Sequence, residues 1–193
     1  MKVKIHDKKL VYNGFFQMEN ATIQYEKFEG TFTPKIQRLN LLRGDAATSL
    51  VYHKEKNAII LTEQFRYSTY KKGPGWLIEL PAGMIGKNEK PADCMKRELI
   101  EEIGYKVKEI EQITTMYMSP GGCDEVMYLF FTEVTEEDKI ADGGGAAEEH
   151  EDIKIIELPV SDINSFLSSS KIQDGKTMIG LLWFLQNFPH NKK

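Results

Sequence analysis

The chain has 193 residues, of which 41% are hydrophobic and 28% are charged, so it can bury a sizeable core. Its net charge of -4 at pH 7 argues against the basic surface that general nucleic-acid binding requires, and we expect no nucleic-acid partner. Two cysteines are too few for a disulfide framework, which favours a reducing, cytoplasmic setting. The chain has neither the apolar segment of a signal peptide nor a run of about 18 apolar residues, so we expect no membrane association.

The N-terminal part of the chain is predicted to consist of strands. Asn13-Gly14 lies between two apolar runs, which predicts a two-residue hairpin turn because both turn positions favour positive φ. Residues 1–45 have too little apolar area to fold alone. We therefore predict a small antiparallel β segment at 1–45 that docks on another surface, and a main domain at 46–193.

The main domain is predicted to mix strands and helices. "ATSLVYH" and "AIILTEQF" are rich in β-branched and aliphatic residues, which indicates buried strands. Pro91 suits a first helical turn and Gly104 suits the left-handed residue just past a helix end, so a helix is predicted between them. A long acidic, glycine-rich loop is expected from Thr135 to Glu151, and loops of this length are usually lids or binding loops.

Three glutamates crowd the predicted helix. Residues three and four apart share a helix face, so Glu98, Glu101 and Glu102 converge on one side. Another face is apolar and can pack against a sheet; it carries Met95, Leu99 and Ile103. Like charges this close destabilise a helix unless a cation lies among them, and hard divalent ions such as Mg²⁺ or Mn²⁺ take oxygen ligands. Arg97 can pair with Glu101 at the i+4 position. The alternative interpretation is a solvated helix face of mixed charge.

The surrounding sequence decides between these interpretations. The stretch "GMIGKNEKPADCMKRELIEEIGY", residues 83–105, matches a Nudix box at every single-residue position, and the chain therefore resembles the Nudix hydrolases. Tyr105 stands where the last box position is usually aliphatic. The matching residues are Gly83, Glu89, Arg97, Glu98, Glu101, Glu102 and Gly104.

The resemblance implies an α/β fold, an α/β/α sandwich around a mixed sheet, in which the box forms a loop–helix–loop that binds Mg²⁺ or Mn²⁺. Members of the family hydrolyse the pyrophosphate of a nucleoside diphosphate linked to a further group. By matching positions, Glu89 and Arg97 would orient the site. The implied metal ligands are the carbonyl of Ala82 and the carboxylates of Glu98, Glu101 and Glu102.

Features outside the box resemble the ADP-ribose pyrophosphatase branch of the family. Pro120 of "SPGG" lies fifteen residues past Tyr105, as in that branch. The N-terminal strands resemble a small domain that the branch exchanges between two subunits, so a homodimer is expected. The ending "IQDGKT" is similar to bacterial GDP-mannose pyrophosphatases. The expected substrate is thus a nucleoside diphosphate sugar, GDP-mannose or ADP-ribose, cut to a nucleoside monophosphate and a sugar phosphate.

The acidic loop resembles the mobile loop of the same branch. Glu149 matches the glutamate that activates water, with Glu148 as its rival, and Glu151 matches an additional metal ligand. Arg66 matches an arginine that contacts substrate phosphates, a role that suits the guanidinium fork. Glu125, after "SPGG", is predicted to contact the terminal sugar.

Two other functions are compatible with the box alone. One is a housecleaning hydrolase for nucleoside triphosphates, which the N-terminal strands and Pro120 disfavour. The other is a non-catalytic ligand sensor, which would have no need of the full set of box glutamates.

Two further motifs are expected to have no catalytic role. "DGKT" is similar to the end of a P-loop, but Ser170 stands where a P-loop requires glycine, so "DGKT" is predicted to begin the last helix. Cys94 lies in an acidic neighbourhood that should raise the pKa of its thiol, so it is not expected to act as a nucleophile.

Overall fold

The computed structural model describes residues 1–146, 148 and 150–188, and the chain divides into two compact units. The first unit comprises residues 1–45 and 117–126, and the second unit comprises the other residues. The first unit therefore combines the N-terminal segment with a loop from much later in the chain. None of the helices formed by the described residues is both long and apolar enough to cross a membrane.

The first unit is built on a three-stranded antiparallel sheet in the order β1-β2-β3. The predicted two-residue turn at Asn13-Gly14 is wrong: β1 ends at Asn13, β2 begins at Gln17, and neither Asn13 nor Gly14 has a positive φ. A Cβ at position 14 would lie 2.4 Å from the Tyr12 hydroxyl, so glycine makes room for that side chain. The strands are β1 (Val3–Asn13), β2 (Gln17–Tyr25) and β3 (Ile36–Leu42).

The later loop of the first unit is attached to the end of β3. The Leu41 N–H donates to the Gly122 carbonyl (2.8 Å), and the Asp124 N–H donates to the Leu41 carbonyl (3.3 Å). The backbone N–H of Arg43 donates to the Asp124 carboxylate. Glu125, the predicted sugar contact, is buried in this unit, where its carboxylate pairs with the Arg43 guanidinium.

The second unit contains a seven-stranded mixed sheet. Its main path is β10-β5-β4-β9-β8, with β6 paired to β5 and β7 paired to β4. β4 runs parallel to β9, whereas its pairings with β5 and β7 are antiparallel. The strands are β4 (Ala46–His53), β5 (Ala58–Phe65), β6 (Trp76–Glu79), β7 (Ala82–Met84), β8 (Glu111–Tyr117), β9 (Val126–Val134) and β10 (Lys154–Pro159).

Helices cover both faces of this sheet. Successive residues of β4 point to opposite faces, so Leu50 packs in the cluster of Leu181 and Phe184, while Val51 packs in the cluster of Leu99. Two apolar clusters, one on each side of the sheet, form an α/β/α sandwich, and the predicted fold class is confirmed. The helices are α1 (Pro91–Ile103), α2 (Ile163–Ser168) and α3 (Gly175–Asn187).

Helix α1 has the predicted limits. Pro91 is its first residue, and Gly104 ends it in the left-handed conformation with φ of 80°, which glycine adopts without a steric penalty. The predicted sheet-facing residues of α1 are all fully buried, so this face anchors the helix. They are Met95, Leu99 and Ile103.

Helix α3 begins at "DGKT", as predicted, and buries an ion pair that the sequence did not reveal. The Asp174 side chain caps the helix by accepting from the Thr177 N–H (3.0 Å). The ammonium of Lys176 lies 2.8 Å from the Glu79 carboxylate and 3.1 Å from that of Asp174. Nε of Arg66 donates to the other Glu79 oxygen (2.7 Å). Glu79 therefore links the end of β6 to both cations.

We predict that Glu79→Ala destabilises the second unit strongly. The substitution removes one of the two carboxylates that pair with the buried Lys176 ammonium among the described residues, and breaking a buried pair on one side is costly. The free energy of unfolding should fall by about 3 kcal/mol. Urea unfolding followed by tryptophan fluorescence measures this, because Trp76 and Trp183 both lie in the second unit.

Glu63→Ala is the matched control. It breaks the Glu63–Lys154 pair (3.1 Å), which joins two strands of the same sheet but has an exposed lysine. We expect a loss of about 0.5 kcal/mol, since exposed pairs contribute little. Equal losses in the two variants would show that Glu79 is not a structural link.

Candidate active site

The three box glutamates of α1 differ in their burial. Glu102 is 1% exposed, and the side chains of Glu98 and Glu101 are 12% and 37% exposed. They share one side of the helix, next to the face that packs on the sheet, with Glu102 at the boundary between the two. The solvated-face interpretation is therefore wrong for Glu98 and Glu102, whose carboxylates lie largely out of water.

Glu102 is the most perturbed of these groups. Its carboxylate accepts a hydrogen bond from the Ala82 N–H (3.0 Å), which ties α1 to β7. Burial raises the pKa of Glu102 to about 8, and the negative charges of Glu98 and Glu151 act in the same direction. The positive charge of Arg66 opposes them. Glu102 is thus electrostatically linked to two predicted metal ligands and to the predicted phosphate contact.

Glu98 depends on the first glycine of the box. A Cβ placed on Gly83 would lie 1.9 Å from the Glu98 carboxyl group, so any larger residue would displace that side chain. Burial raises the pKa of Glu98, and the Arg97 charge opposes this effect. Gly83 therefore has a packing role, since β7 must pass directly beside a carboxylate.

Arg97 connects three carboxylates. Its Nη1 donates to Glu98 (2.7 Å) and to Glu101 (2.8 Å), which confirms the predicted i+4 pair. Its Nε donates to Glu89 (3.2 Å), whose other oxygen accepts from the Gly86 N–H (2.8 Å). The Arg97 hydrogen bonds, followed by that of Gly86, lower the pKa of Glu89. Arg97 thus offsets the mutual repulsion of its neighbours.

Cys94 is a buried residue of α1 and lies beside this network. Burial is the main cause that raises the pKa of its thiol to about 12, and the charges of Glu89 and Glu98 add to the effect. The predicted rise is confirmed, although burial outweighs the acidic neighbours. At neutral pH the thiolate population is negligible, so Cys94 has a packing role.

The acidic loop contributes Glu151 to the electrostatic environment of the helix. Glu149 lies outside the described residues, and Glu148 is exposed. Glu151 accepts a hydrogen bond from the Ala146 N–H (3.0 Å), and its charge raises the pKa of both Glu98 and Glu102. Glu151 therefore belongs to the same electrostatic group as the box glutamates, although more than 40 residues separate it from them.

Arg66, the predicted phosphate contact, follows directly on β5. Its N–H donates to the Gly75 carbonyl (2.6 Å), and the bond from Nε to Glu79 fixes the guanidinium plane. Sequence reasoning missed Glu79 and Lys176 because their pair joins residues 97 positions apart. The only local signal was a single charge within the apolar strand "WLIEL".

The donor set suits a hard divalent cation. Among the residues that the structure describes, no three His, Cys, Asp or Glu side chains already form a metal-binding group, and Arg97 holds Glu98 and Glu101. Neighbouring carboxylates nevertheless raise the pKa of Glu98 and Glu102 beyond the effect of burial; at Glu98 these neighbours are Glu101 and Glu151. A divalent ion accepts carboxylate oxygens and would relieve this repulsion, so the residues fit such an ion.

Known proteins match the chain over nearly its whole length. A NUDIX domain profile matches residues 42–176. The GDP-mannose pyrophosphatase of Enterobacter sp. (strain 638) is 36% identical, over 96% of this chain and 96% of its own. That of Citrobacter koseri is 34% identical, over 98% and 96%. A crystal structure described as "ADP compounds hydrolase" shares the fold, with a TM-score of 0.75 and 16% identity over 98% of both chains.

The profile match includes every box residue of α1 and β7 and ends within the first turn of α3, so it spans most of the second unit. The two relatives extend the similarity over the first unit as well. Profile, relatives and fold agree, and the chain belongs to the Nudix family.

Proposed function

We propose that the protein is a divalent-metal-dependent hydrolase that cuts the pyrophosphate of a nucleoside diphosphate sugar into a nucleoside monophosphate and a sugar phosphate. The observation that carries the proposal is the buried carboxylate group around Glu102, in a chain of the Nudix family. The relatives named GDP-mannose pyrophosphatase favour GDP-mannose as the substrate. ADP-ribose is the second candidate, from the resemblance of the acidic loop.

Members of the Nudix family require a divalent metal, and we assign Mg²⁺ here, with Mn²⁺ as a substitute. When bound, such an ion offsets the charge of a pyrophosphate and lowers the pKa of an attacking water. The residues that would hold it supply hard oxygen donors. They are the carbonyl of Ala82 and the carboxylates of Glu98, Glu101, Glu102 and Glu151.

The cationic and polar residues of the chain would orient the substrate. The Arg66 bond to Glu79 uses Nε, so the two terminal nitrogens can donate to phosphate oxygens in a fixed plane. Arg97 and Glu89 hold the box glutamates in position. Glu125 remains a proposed contact to the terminal sugar, and Glu149 the proposed base that takes a proton from water.

A substrate panel tests this function. The purified protein is incubated with Mg²⁺ and GDP-mannose, ADP-ribose, UDP-glucose or nucleoside triphosphates, and the products are identified. We expect a nucleoside monophosphate and a sugar phosphate from a nucleoside diphosphate sugar. Turnover of triphosphates alone would indicate the housecleaning function, and binding without turnover would indicate a ligand sensor.

We predict that Glu102→Gln abolishes most turnover without harming the fold. Glutamine keeps the shape of the side chain but removes the buried charge that a cation requires, so kcat should fall roughly 100-fold or more. The melting temperature without metal should be unchanged below pH 4.5, the ordinary pKa of the group, and higher at neutral and alkaline pH. The reason is that the unfolded chain ionises Glu102 freely, whereas burial and the charges of Glu98 and Glu151 raise its pKa in the folded state to about 8. The stabilisation that Mg²⁺ gives the wild-type protein should also be lost. Near-normal kcat would remove Glu102 from the metal ligands.

We predict that Glu149→Gln lowers kcat by roughly 100-fold or more while KM changes little, because a general base acts on the chemical step. Glu148→Gln is the matched control, since it removes the same charge one residue away in the same loop. Steady-state kinetics with saturating Mg²⁺ separate the two. A large loss in Glu148→Gln with normal rates in Glu149→Gln would assign the base to Glu148.

We further propose that residues 1–45 form a homodimer contact and are exchanged between two subunits, while residues 46–193 carry the hydrolase domain. β1 is exposed along its whole length although it carries several apolar side chains, including Val3 and Ile5 at 62% and 57% exposure. An exposed apolar strand face of this kind marks an association surface. A second copy of the chain is the proposed partner.

We predict that the double variant Val3→Glu/Ile5→Glu is a monomer, whereas the wild-type protein has twice the mass of one chain by sedimentation. These two residues are two apart, so their side chains share one face of β1. Lys4→Glu is the matched control: it changes the net charge by the same amount on the other face. A monomeric wild-type protein, or a dimeric double variant, would contradict the proposed contact.

A further inference from the structure

After β9 the chain returns to the C-terminal end of α1, where residues 138–145 contact the helix end through main-chain hydrogen bonds. The Lys106 N–H donates to the Asp138 carbonyl (2.9 Å), and the N–H groups of Ile140 and Ala141 donate to the Gly104 carbonyl (2.9 and 3.2 Å). The acidic loop is therefore attached to the helix terminus by main-chain hydrogen bonds before it reaches its glutamates.

The attachment continues along the last turn of α1. The Gly144 N–H donates to the Glu102 carbonyl (2.9 Å), and the Gly145 N–H donates to the Glu101 carbonyl (3.0 Å). Carbonyls in the last turn of a helix have no partner within the helix, so the loop satisfies acceptors that would otherwise need water. The residues whose carbonyls hold the loop are the same residues whose carboxylates form the acidic group.

Close approach of other atoms explains why glycine occupies three of these positions: backbone atoms at Gly104 and Gly143, and side-chain atoms at Gly145. A Cβ on Gly104 would lie 2.0 Å from the Ala141 carbonyl oxygen, and a Cβ on Gly143 would lie 2.6 Å from that of Glu102. A Cβ on Gly145 would lie 2.6 Å from the Glu151 Cβ and 2.9 Å from its Oε2. We call Gly104, Gly143 and Gly145 the glycine seam.

Gly144 differs from its neighbours and supplies an internal comparison. All three residues from Gly143 to Gly145 have positive φ, at 74°, 105° and 94°. A Cβ on Gly144, however, would meet only the Ile153 carbonyl oxygen, at an ordinary contact distance of 3.9 Å. Alanine at either position therefore pays the cost of a positive φ, but only Gly145→Ala also places a Cβ against Glu151.

We propose that the glycine seam is a positioning device for the hydrolysis proposed above: it fixes the acidic loop on α1 so that Gly145 sets the place of the Glu151 carboxylate beside Glu98 and Glu102. The inference rests on the proposed metal-dependent function. Gly145 is a positioning residue, because it acts through Glu151.

Two further contacts hold Glu151 at this place. The Ala146 N–H donates to its Oε2 (3.0 Å), and the Ile153 N–H donates to the Gly144 carbonyl (3.1 Å). Glu151 therefore lies in a segment that is closed on itself by one hydrogen bond to its own side chain and one main-chain hydrogen bond beyond it. The influence of its charge on Glu98 and Glu102 agrees with this placement.

Mn²⁺ binding without substrate tests the proposal, measured from the electron paramagnetic resonance signal of free Mn²⁺. Gly145→Ala should weaken Mn²⁺ binding about 10-fold, as expected when a group that orients a ligand is disturbed. Gly144→Ala should stay within about 2-fold of wild type, while its melting temperature falls as much as that of Gly145→Ala. Equal Mn²⁺ affinities in the two variants would overturn the proposal.

A double-mutant cycle with Glu151→Gln shows whether Gly145 acts through Glu151. Glu151→Gln alone should weaken Mn²⁺ binding, and Gly145→Ala should add no further loss in that background, because coupled residues are not additive. Additive losses would reduce Gly145 to a general structural role. An unchanged affinity in Glu151→Gln would refute the proposal even if Gly145→Ala did not fold.

These outcomes are separable from those of the substrate panel. If the wild-type protein binds Mn²⁺ with the expected dependence on Gly145 and Glu151 but hydrolyses no nucleoside diphosphate sugar, the proposed function fails and the positioning device stands. If hydrolysis occurs and Mn²⁺ binding is indifferent to Gly145, the positioning device fails alone.

Discussion

The site depends on one constraint: several carboxylates must lie together, partly out of water, in a protein that still folds. The cost of burying a carboxylate is clearest at Glu102, where burial raises the pKa to about 8. Three neighbours limit the cost. Arg97 pairs with the surrounding carboxylates, the Ala82 N–H donates to Glu102, and Gly83 leaves space for Glu98. Arg97 is therefore needed in the box for its positive charge, and Gly83 for its small volume.

Packing on the other side of α1 keeps the acidic helix in place. A pKa raised from 4.5 to about 8 corresponds to roughly 5 kcal/mol against the ionised form of Glu102. Met95, Leu99 and Ile103 are fully buried on the sheet, and each contributes roughly 1.5–3 kcal/mol. The apolar face therefore roughly offsets the electrostatic cost, and the helix can remain docked while it carries carboxylates on the adjacent side.

Local signals in the sequence were enough to predict the parts of the site that lie on α1. Pro91 and Gly104 gave its limits, and spacings of three and four residues gave its apolar and acidic faces. The β-branched and aliphatic composition of β4 and β5 was enough to predict buried strands. β1 and β2 pair as an antiparallel hairpin, but the predicted two-residue turn at Asn13-Gly14 was wrong because neither residue has a positive φ. Gly14 instead leaves space for the Tyr12 side chain.

Contacts between distant segments could not be predicted from the sequence. Glu79 meets Lys176 only because β6 and the start of α3 come together in the folded chain, and no local pattern marks the pair. The run Gly143–Gly145 was interpreted as part of a flexible loop. Composition alone does not show whether a glycine makes a loop flexible or allows another segment to approach it closely. The carbonyls of Glu101 and Glu102 show that contact is its role here.

The acidic group must be assembled from two segments, and this explains why backbone bonds join them. Side-chain ion pairs could not hold the loop on α1, because both segments are acidic and exposed pairs contribute little. Main-chain amides carry no net charge, yet they satisfy the terminal carbonyls of the helix, so they bring one acidic segment against another without added repulsion. These hydrogen bonds bring the two backbones too close for a Cβ at Gly104 or Gly143. Glycine is therefore needed at these positions both for the fold and for bringing the two acidic segments together.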